Sequence, residues 1–288
     1  MTNKYYFELE IKFSESNYEK LLEVLYSSGI NKILETEKSI IIYLPENEKK
    51  LIDNVTRQIF ANKLADKNSF VLKVIQNQDW DKNWKKTIKP VFIKDRIILY
   101  PSWLKKDVSR YKKRILIELD PKMSFGTGHN ETTQLVLELM CDFSDTQDKY
   151  VLDYGCGTGV LAIAAIKLGQ KKAIAIDIDK DSIENAKEYF KINKVTDSIK
   201  LYKKDIFEVK NKNFDIIYAN ILRNVIERNL GEIYSKLKPG GKLFISGVLA
   251  DEESQISDSL KKNNFRIIDK RFKSEWMGIY AIKEKKDE

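Results

Sequence analysis

The chain has 288 residues, 42% of them hydrophobic and 33% charged, which is enough for two folded domains. No run approaches eighteen apolar residues and the first residues lack the apolar core of a signal peptide, so we expect a cytoplasmic protein without a membrane span. Two cysteines and a single histidine, His129, exclude a disulfide framework and a metal-ligand cluster, so no metal is expected.

The net charge of +8 is concentrated in one stretch of the chain. Residues 79–114 carry 12 basic and 4 acidic side chains, whereas residues 1–78 carry 11 of each kind and residues 115–288 carry 28 of each. Scattered lysines are often no more than a solvated surface. The alternative is that this stretch contacts an acidic or RNA-bearing partner.

Residues 1–78 alternate between strand and helix patterns in the order β-α-β-β-α-β. The predicted strands are 4–13, 32–35, 39–44 and 70–75, and the predicted helices lie near residues 18–25 and 47–59. This order is that of a small α+β ferredoxin-like domain. No motif in it indicates chemistry, so we interpret residues 1–78 as a recognition domain for the substrate.

A connector is predicted at residues 79–94, and residues 95–288 form the second domain. Its first strands lead into a polar loop between Asp120 and Thr133, which contains the sequence Phe125-Gly126-Thr127-Gly128. A glycine-rich loop just before the nucleotide-binding strand is well placed to close over a ligand. Phe125 and Thr127 are therefore candidate ligand contacts.

The stretch 151–159 has the pattern of a strand, a glycine turn and the start of an apolar helix. Its glycines are Gly155, Gly157 and Gly159, in the spacing G-x-G-x-G. Glycines let the backbone approach a nucleotide closely because no Cβ intervenes. Asp177 ends the next predicted strand, 22 positions after Gly155, where a carboxylate can bind both ribose hydroxyls. The pattern predicts a nucleoside-bearing cofactor.

From residue 150 onward, predicted strands alternate with helices, which indicates a Rossmann-like, doubly wound parallel sheet. Two last strands, near 265–268 and 276–282, can pair as an antiparallel C-terminal hairpin. In such sheets ligands bind at the carboxyl ends of the strands. Four candidate site residues lie there: Gly155, Asp177, Asp205 and Asn220.

S-adenosylmethionine has a ribose and an adenine but no pyrophosphate, so it suits this glycine turn better than NAD does. Residues 151–159 resemble motif I of class I methyltransferases. The loop from Asp120 to Thr133, together with the sequence Ala219-Asn220-Ile221-Leu222, resembles the PrmA family, which methylates large-subunit ribosomal protein eleven. The stretch 79–103 and the sequence Ser274-Glu275-Trp276 are similar to that family too.

The resemblance implies that Thr133, Gly155, Asp177 and Asn220 bind S-adenosylmethionine. It also implies that the first domain recognises the ribosomal protein, whose N-terminal α-amine and lysine ε-amines are methylated, free or on the ribosome. Residues 82–114 would then be available for contact with ribosomal RNA. Where the family commonly has Thr-His-Pro, this chain has the sequence His129-Asn130-Glu131.

Amine methylation needs little beyond placement of a neutral amine against the methyl group. Our hypothesis is that the side-chain oxygen of Asn220 positions the amine, and no dedicated base stands out. One alternative is a class I RNA methyltransferase acting on ribosomal RNA, although such enzymes usually carry Asn-Pro-Pro-Tyr after the fourth strand. A non-enzymatic cofactor-binding module and a dehydrogenase are further alternatives.

Overall fold

The computed structural model describes residues 5–30, 33–35, 38–66, 69–76, 88–120, 130–144 and 150–284. The chain divides into two compact units, Met1–Ile88 and Lys89–Glu288. The division falls within the predicted connector, of which residues 79–87 lie outside the described ranges. The role of that stretch as a connector stays a prediction.

The first unit is a four-stranded antiparallel sheet with two helices. Its elements are β1 (Tyr5–Lys12), α1 (Tyr18–Ser27), β2 (Ile33–Glu35), β3 (Ser39–Pro45), α2 (Lys49–Ala61) and β4 (Phe70–Gln76). The strands lie in the order β2-β3-β1-β4, and each neighbouring pair is antiparallel. The assignment of this unit to the ferredoxin-like class stays a prediction.

Periodic apolar residues build the core of this unit. Alternate residues of β1, among them Leu9 and Ile11, are buried because successive side chains of a strand point to opposite faces. On α2 the buried residues are Ile52, Val55 and Ile59, whose spacing of three and four positions places them on one helical face. Both sets belong to a single apolar cluster.

The second unit is built on a seven-stranded sheet. It contains β5 (Val91–Ile93), β6 (Ile97–Tyr100), α3 (Lys105–Val108), β7 (Ile115–Glu118), α4 (Glu131–Phe143), β8 (Tyr150–Tyr154), α5 (Val160–Lys167), β9 (Lys172–Asp177), α6 (Lys180–Ile192), β10 (Ile199–Lys203), β11 (Phe214–Asn220), α7 (Arg223–Lys236), β12 (Leu237–Leu249), α8 (Glu253–Lys262), β13 (Phe265–Lys273) and β14 (Trp276–Lys283). No helix in the described ranges is both long and apolar enough to cross a bilayer.

The large sheet has the strand order β10-β9-β8-β11-β12-β14-β13. The pairs from β10 to β12 are parallel, and β14 is antiparallel to both β12 and β13. The predicted doubly wound sheet with an antiparallel C-terminal hairpin is thus confirmed. The chain order reverses between β8 and β11, and that reversal opens a crevice at the carboxyl ends of these strands.

Each face of the large sheet carries its own apolar cluster. One cluster contains the α5 residues Leu161 and Ile163, and the other contains the α7 residues Ile226, Leu230 and Ile233. The central strands β8, β9 and β11 are buried on both faces, so they are nearly continuous apolar runs rather than alternating ones. This burial holds the ends of β8, β9 and β11 in fixed positions.

A second, three-stranded sheet has the order β5-β6-β7. Ile93, Ile97 and Ile117 on one of its faces belong to the main apolar cluster. Its other face carries a small cluster formed by Ile98, Tyr100 and Val108. Because β5 pairs with β6, the last residues of the predicted connector belong to the second unit.

Candidate active site

A cavity of about 630 Å³ lies at the carboxyl ends of β8, β9 and β11. It is large enough for a nucleoside cofactor with space left for part of a second substrate. Several residues predicted from the sequence line it: Gly155, Gly157, Asp177, Asp205 and Asn220. Phe125, Thr127 and His129 lie outside the described residues, so Phe125 and Thr127 stay predictions.

The glycine turn after β8 is tied to the end of β9. Gly155 and Gly157 have φ angles of +70° and +52°, a region that residues with a Cβ rarely adopt. The N–H of Gly155 donates to the carbonyl oxygen of Ile176 at 2.9 Å, and the N–H of Gly157 donates to Oδ2 of Asp177 at 2.8 Å. Oδ1 of Asp177 accepts from the N–H of Asp179 at 3.0 Å. These bonds fix the Asp177 carboxylate beside the turn.

Gly159 has a packing role in the structure. It precedes α5 with a φ of +75°, and a Cβ at this position would lie 2.3 Å from the ring of Phe190 on α6. Gly159 is not among the residues that line the cavity. The third glycine of the motif therefore lets α5 and α6 approach each other, and its direct contact with a cofactor stays a prediction.

Asn220 and Thr133 form a hydrogen-bonded pair across the crevice. Nδ2 of Asn220, at the end of β11, donates to Oγ1 of Thr133 on α4 at 3.2 Å. Thr133 is fully buried. Oδ1 of Asn220 is then buried without a hydrogen-bond partner among the described residues, and Oγ1 of Thr132 is in the same state. Since unpaired buried polar atoms are costly, both are suited to binding a polar ligand.

The segment after Asn220 is held between two glycines. A Cβ on Gly155 would lie 2.3 Å from Cγ2 of Ile221, and a Cβ on Gly247 would lie 2.3 Å from the carbonyl oxygen of Ile221. Gly247 has a φ of +83° and lies on β12 beside a register shift. Only glycine at both positions allows this segment to pack so closely.

A buried carboxyl group lies directly beneath the glycine turn. Asp153 is completely buried, and its Oδ2 accepts from the N–H of Ala162 at 3.0 Å. The pKa of Asp153 is raised to about 7, mainly by burial; the bond from Ala162 opposes the increase, and the nearby charge of Asp177 contributes to it. The next residue, Tyr154, lines the cavity, and its hydroxyl accepts from Nδ2 of Asn229 at 2.8 Å.

Asp205 begins the turn that follows β10. Its Oδ1 accepts from the N–H of Phe207 at 3.3 Å, while its own N–H donates to the Glu208 carboxylate at 2.9 Å. This capping box orders the segment that forms one end of the cavity. Lys204 and Arg228 line the cavity together with Asp205.

The family model of ribosomal protein L11 methyltransferases (PrmA) matches residues 6–284. The chain belongs to the PrmA family. It is accordingly an S-adenosylmethionine-dependent methyltransferase with the class I fold, and the resemblance found in the sequence is confirmed.

Curated relatives in the PrmA family match most of the chain. A ribosomal protein L11 methyltransferase of Listeria welshimeri is 36% identical, over 83% of this chain and 74% of its own length. The protein of the same name from Carboxydothermus hydrogenoformans is 33% identical, over 88% of this chain and 83% of its own length. A crystal structure of ribosomal protein L11 methylase from Lactobacillus delbrueckii subsp. bulgaricus is 29% identical with a TM-score of 0.63, covering 69% of this chain and all of that one.

The residues of this PrmA cavity fit S-adenosylmethionine. The Asp177 carboxylate is suited to the ribose hydroxyls, and the positive-φ glycines allow close approach to the backbone. The unpaired oxygens of Thr132 and Asn220 are suited to groups with N–H donors. In the described ranges, no group of three potential metal ligands lies together.

Several residues lining the cavity were missed by the sequence analysis. They are Thr132, Tyr154, Ile178, Gly247 and Trp276. Tyr154 and Ile178 are sequence neighbours of the predicted residues Gly155 and Asp177, so their position beside the motifs could have identified them as part of the site. Gly247 carried no local signal, because its role depends on Ile221, which is distant in sequence.

Proposed function

We propose that this chain transfers methyl groups from S-adenosylmethionine to amines of large-subunit ribosomal protein L11, namely its N-terminal α-amine and lysine ε-amines. Support comes from the family match over residues 6–284 and from the names of the relatives. The observation on which the chemistry rests is the buried Oδ1 of Asn220 at the cavity, which has no hydrogen-bond partner within the described part of the chain.

In this proposal residues from several strands, turns and a helix together hold the cofactor. Asp177 binds the ribose, Gly155 and Gly157 approach the cofactor with their backbone, and Asp205 lies at the adenine end. Thr133 acts together with Asn220, to which it is hydrogen-bonded. Phe125, Thr127 and Gly159 complete the proposed set. When bound, S-adenosylmethionine supplies an electrophilic methyl group on a positively charged sulfur.

The protein's task is to present the amine in its neutral form. At pH 7, roughly a tenth or more of an α-amine with a pKa of about 7.7–8.0 is in the neutral form. For a lysine with a pKa of about 10.4, the neutral fraction is only about one part in 10³ to 10⁴. Oδ1 of Asn220 accepts an N–H from the neutral amine and so orients its lone pair. Surrounding apolar side chains such as Ile221 and Leu222 disfavour the charged ammonium.

The first unit is proposed to recognise the ribosomal protein. Leu72 and Val74 on its edge strand β4 are 50% and 58% exposed, and Leu34 on the other edge strand, β2, is 53% exposed. Exposed apolar side chains of this size are suited to a protein partner. Because the proposed substrate is a ribosomal protein, we also propose that the enzyme acts in the cytoplasm.

Ribosomal RNA is proposed as a second contact, through basic residues 82–114. The described part, residues 88–114, has nine basic and two acidic side chains. RNA as the methylated substrate is not favoured, because the segment after β11 is Asn220-Ile221-Leu222-Arg223 and the family match is to protein methyltransferases.

Mass spectrometry of ribosomal protein L11 after incubation with the purified chain and S-adenosylmethionine tests the proposal. We expect methylated α-amine and lysine residues, and a rate at saturating cofactor that falls by at least about tenfold in Asn220→Ala, since the acceptor for the amine is lost. Asn224→Ala, at an exposed position of α7, is the matched control and should retain the rate.

Full turnover by Asn220→Ala with unchanged cofactor affinity would contradict the role of Asn220. For the substrate class, ribosomal particles are incubated with radiolabelled cofactor and then digested. Label that is lost to protease and survives ribonuclease supports the proposal, and the reverse result contradicts it.

A further inference from the structure

We propose that one face of the second unit binds unpaired RNA bases on an aromatic–arginine cluster surrounded by free cations. This face, here called the basic aromatic surface, consists of Phe92, Lys106, Arg110, Tyr111, Lys112, Lys113 and Arg114. The inference rests on the proposed function because it assigns particular residues to the proposed RNA contact. It adds a mode of binding, base stacking, that net charge alone does not predict.

The charge of this region is only partly neutralised within the protein. At least four of its basic residues are engaged: Lys94 with Asp142, Lys105 with Glu118, Arg114 with Asp95, and Arg96 with the carbonyl oxygen of Cys141. Four others are exposed and have no acidic partner among the described residues: Lys106, Arg110, Lys112 and Lys113. An uncompensated group of cations this dense attracts a polyanion.

Two aromatic rings of this surface lie against its arginines. Phe92 is 46% exposed, and its ring centroid lies 5.5 Å from that of Tyr111 in an edge-to-face arrangement. The Arg114 guanidinium lies 5.6 Å from the Phe92 centroid and 5.5 Å from the Tyr111 centroid, and the Arg110 guanidinium lies 5.0 Å from the Tyr111 centroid. Aromatic rings and guanidinium planes are the groups on which proteins stack unpaired bases.

The cluster is held in place by the fold. Tyr111 packs against the small apolar cluster of Ile98, Tyr100 and Val108 on the outer face of the three-stranded sheet. The guanidinium group of Arg114 is paired with the carboxylate of Asp95 at 2.8 Å. The backbone N–H of Arg114 donates to the carbonyl oxygen of Tyr111 at 3.0 Å. A platform fixed before binding loses little conformational entropy when a base stacks on it.

RNA fits this surface better than an acidic protein does. An acidic peptide would be recognised by guanidinium forks that point at carboxylates. Here the guanidinium groups of Arg110 and Arg114 lie against aromatic rings, and Phe92 is nearly half exposed. Exposed lysines then supply contacts for phosphates beside the stacking platform.

Fluorescence anisotropy with the full chain and a labelled single-stranded RNA twelve-mer of mixed sequence tests the inference. We expect the triple variant Lys106→Ala, Lys112→Ala, Lys113→Ala to bind at least about tenfold more weakly near 0.1 M salt. The slope of log affinity against log salt should become less steep by about 2, since each phosphate contact contributes about 0.7 for a single strand. The matched control is Lys171→Ala, Lys187→Ala, Lys191→Ala, which removes three exposed lysines elsewhere on the unit.

A second variant separates stacking from charge. Phe92→Leu keeps an apolar side chain against Tyr111 but removes the ring, so we expect roughly tenfold weaker binding with an unchanged salt slope. Equal losses in both triple variants would show that only the overall charge matters and would overturn the inference. Absence of RNA binding by the wild-type chain would overturn it too.

Methylation assays distinguish this inference from the proposed function. Free ribosomal protein L11 should be methylated equally by the wild type and by the basic-surface triple variant, since the substituted lysines do not line the cavity. Equal methylation together with lost RNA binding supports both proposals. If the wild type methylates no amine on free L11, the proposed function fails while the RNA-binding result stands by itself.

Discussion

At the scale of single residues, the site depends on which polar atoms are left unpaired. Thr133 accepts the Nδ2 hydrogen of Asn220, and Oδ1 of Asn220 is thereby left for a ligand. The carboxylate of Asp177, by contrast, is already hydrogen-bonded within the protein, because each of its oxygens accepts a backbone N–H. Its carboxylate is thus fixed before any ribose arrives, and an oxygen that accepts one hydrogen bond can still accept another.

Asp153 makes stability depend on pH. Burial raises the pKa of this carboxyl from its ordinary value of 3.8 to about 7. Between about pH 4 and pH 7 the folded chain therefore holds a proton that the unfolded chain has released, so this residue's contribution to stability falls as the pH rises through that window. Asp153→Asn does not titrate, and its amide oxygen can still accept the bond from Ala162.

Urea unfolding at pH 5 and pH 8 measures this effect. We expect the free energy of unfolding of the wild type, relative to Asp153→Asn, to decrease by roughly 2–3 kcal/mol between pH 5 and pH 8. A difference between the two proteins that stays constant over this range would contradict a raised pKa for Asp153.

At the scale of elements, the sequence predicted the order of strands and helices in the second unit well. The glycine turn after β8, Asp177 at the end of β9 and the terminal hairpin all lie where the patterns placed them. β12 begins at Leu237, ahead of Pro239, Gly240 and Gly241, because Leu237 pairs with Phe214 across a register shift. Pairing of this kind depends on residues distant in sequence, so local patterns do not reveal it.

Local sequence patterns could not predict which elements of the site contact each other. Gly159 belongs to the motif, yet it packs against Phe190 of α6. Gly247 belongs to no motif, yet it lies against the carbonyl of Ile221. Both facts depend on close approach of elements that only the folded chain brings together.

Gly247→Ala tests whether the close packing of Ile221 positions Asn220. Gly240→Ala is a matched control, since Gly240 has a similar φ of +72° but open space where a Cβ would be placed. Both substitutions should cost about 1–2 kcal/mol of stability from backbone strain. Only Gly247→Ala should also weaken binding of S-adenosylhomocysteine, by at least about tenfold, because it displaces the Asn220 segment. Calorimetry that gives equal affinities for the two variants would contradict this role.

At the scale of the whole molecule, the cavity and the excess of basic residues belong to different stretches of the chain. The large sheet of the second unit holds the cavity, and the basic excess lies in residues 79–114, ahead of the first predicted motif of that cavity. Composition alone located this excess, but it could not distinguish a solvated surface from a binding surface. The grouping of Arg110 and Arg114 around Phe92 and Tyr111 became visible only in the folded chain.

The central claim is that S-adenosylmethionine lies across the carboxyl ends of the central strands with its ribose on Asp177. Isothermal titration calorimetry of S-adenosylhomocysteine with the wild type, Asp177→Ala and the exposed control Asp181→Ala measures it most directly. We predict that Asp177→Ala loses about 1–3 kcal/mol of binding free energy, that Asp181→Ala binds as the wild type does, and that NAD does not bind. Unchanged affinity in Asp177→Ala, or binding of NAD in place of S-adenosylhomocysteine, would contradict the account.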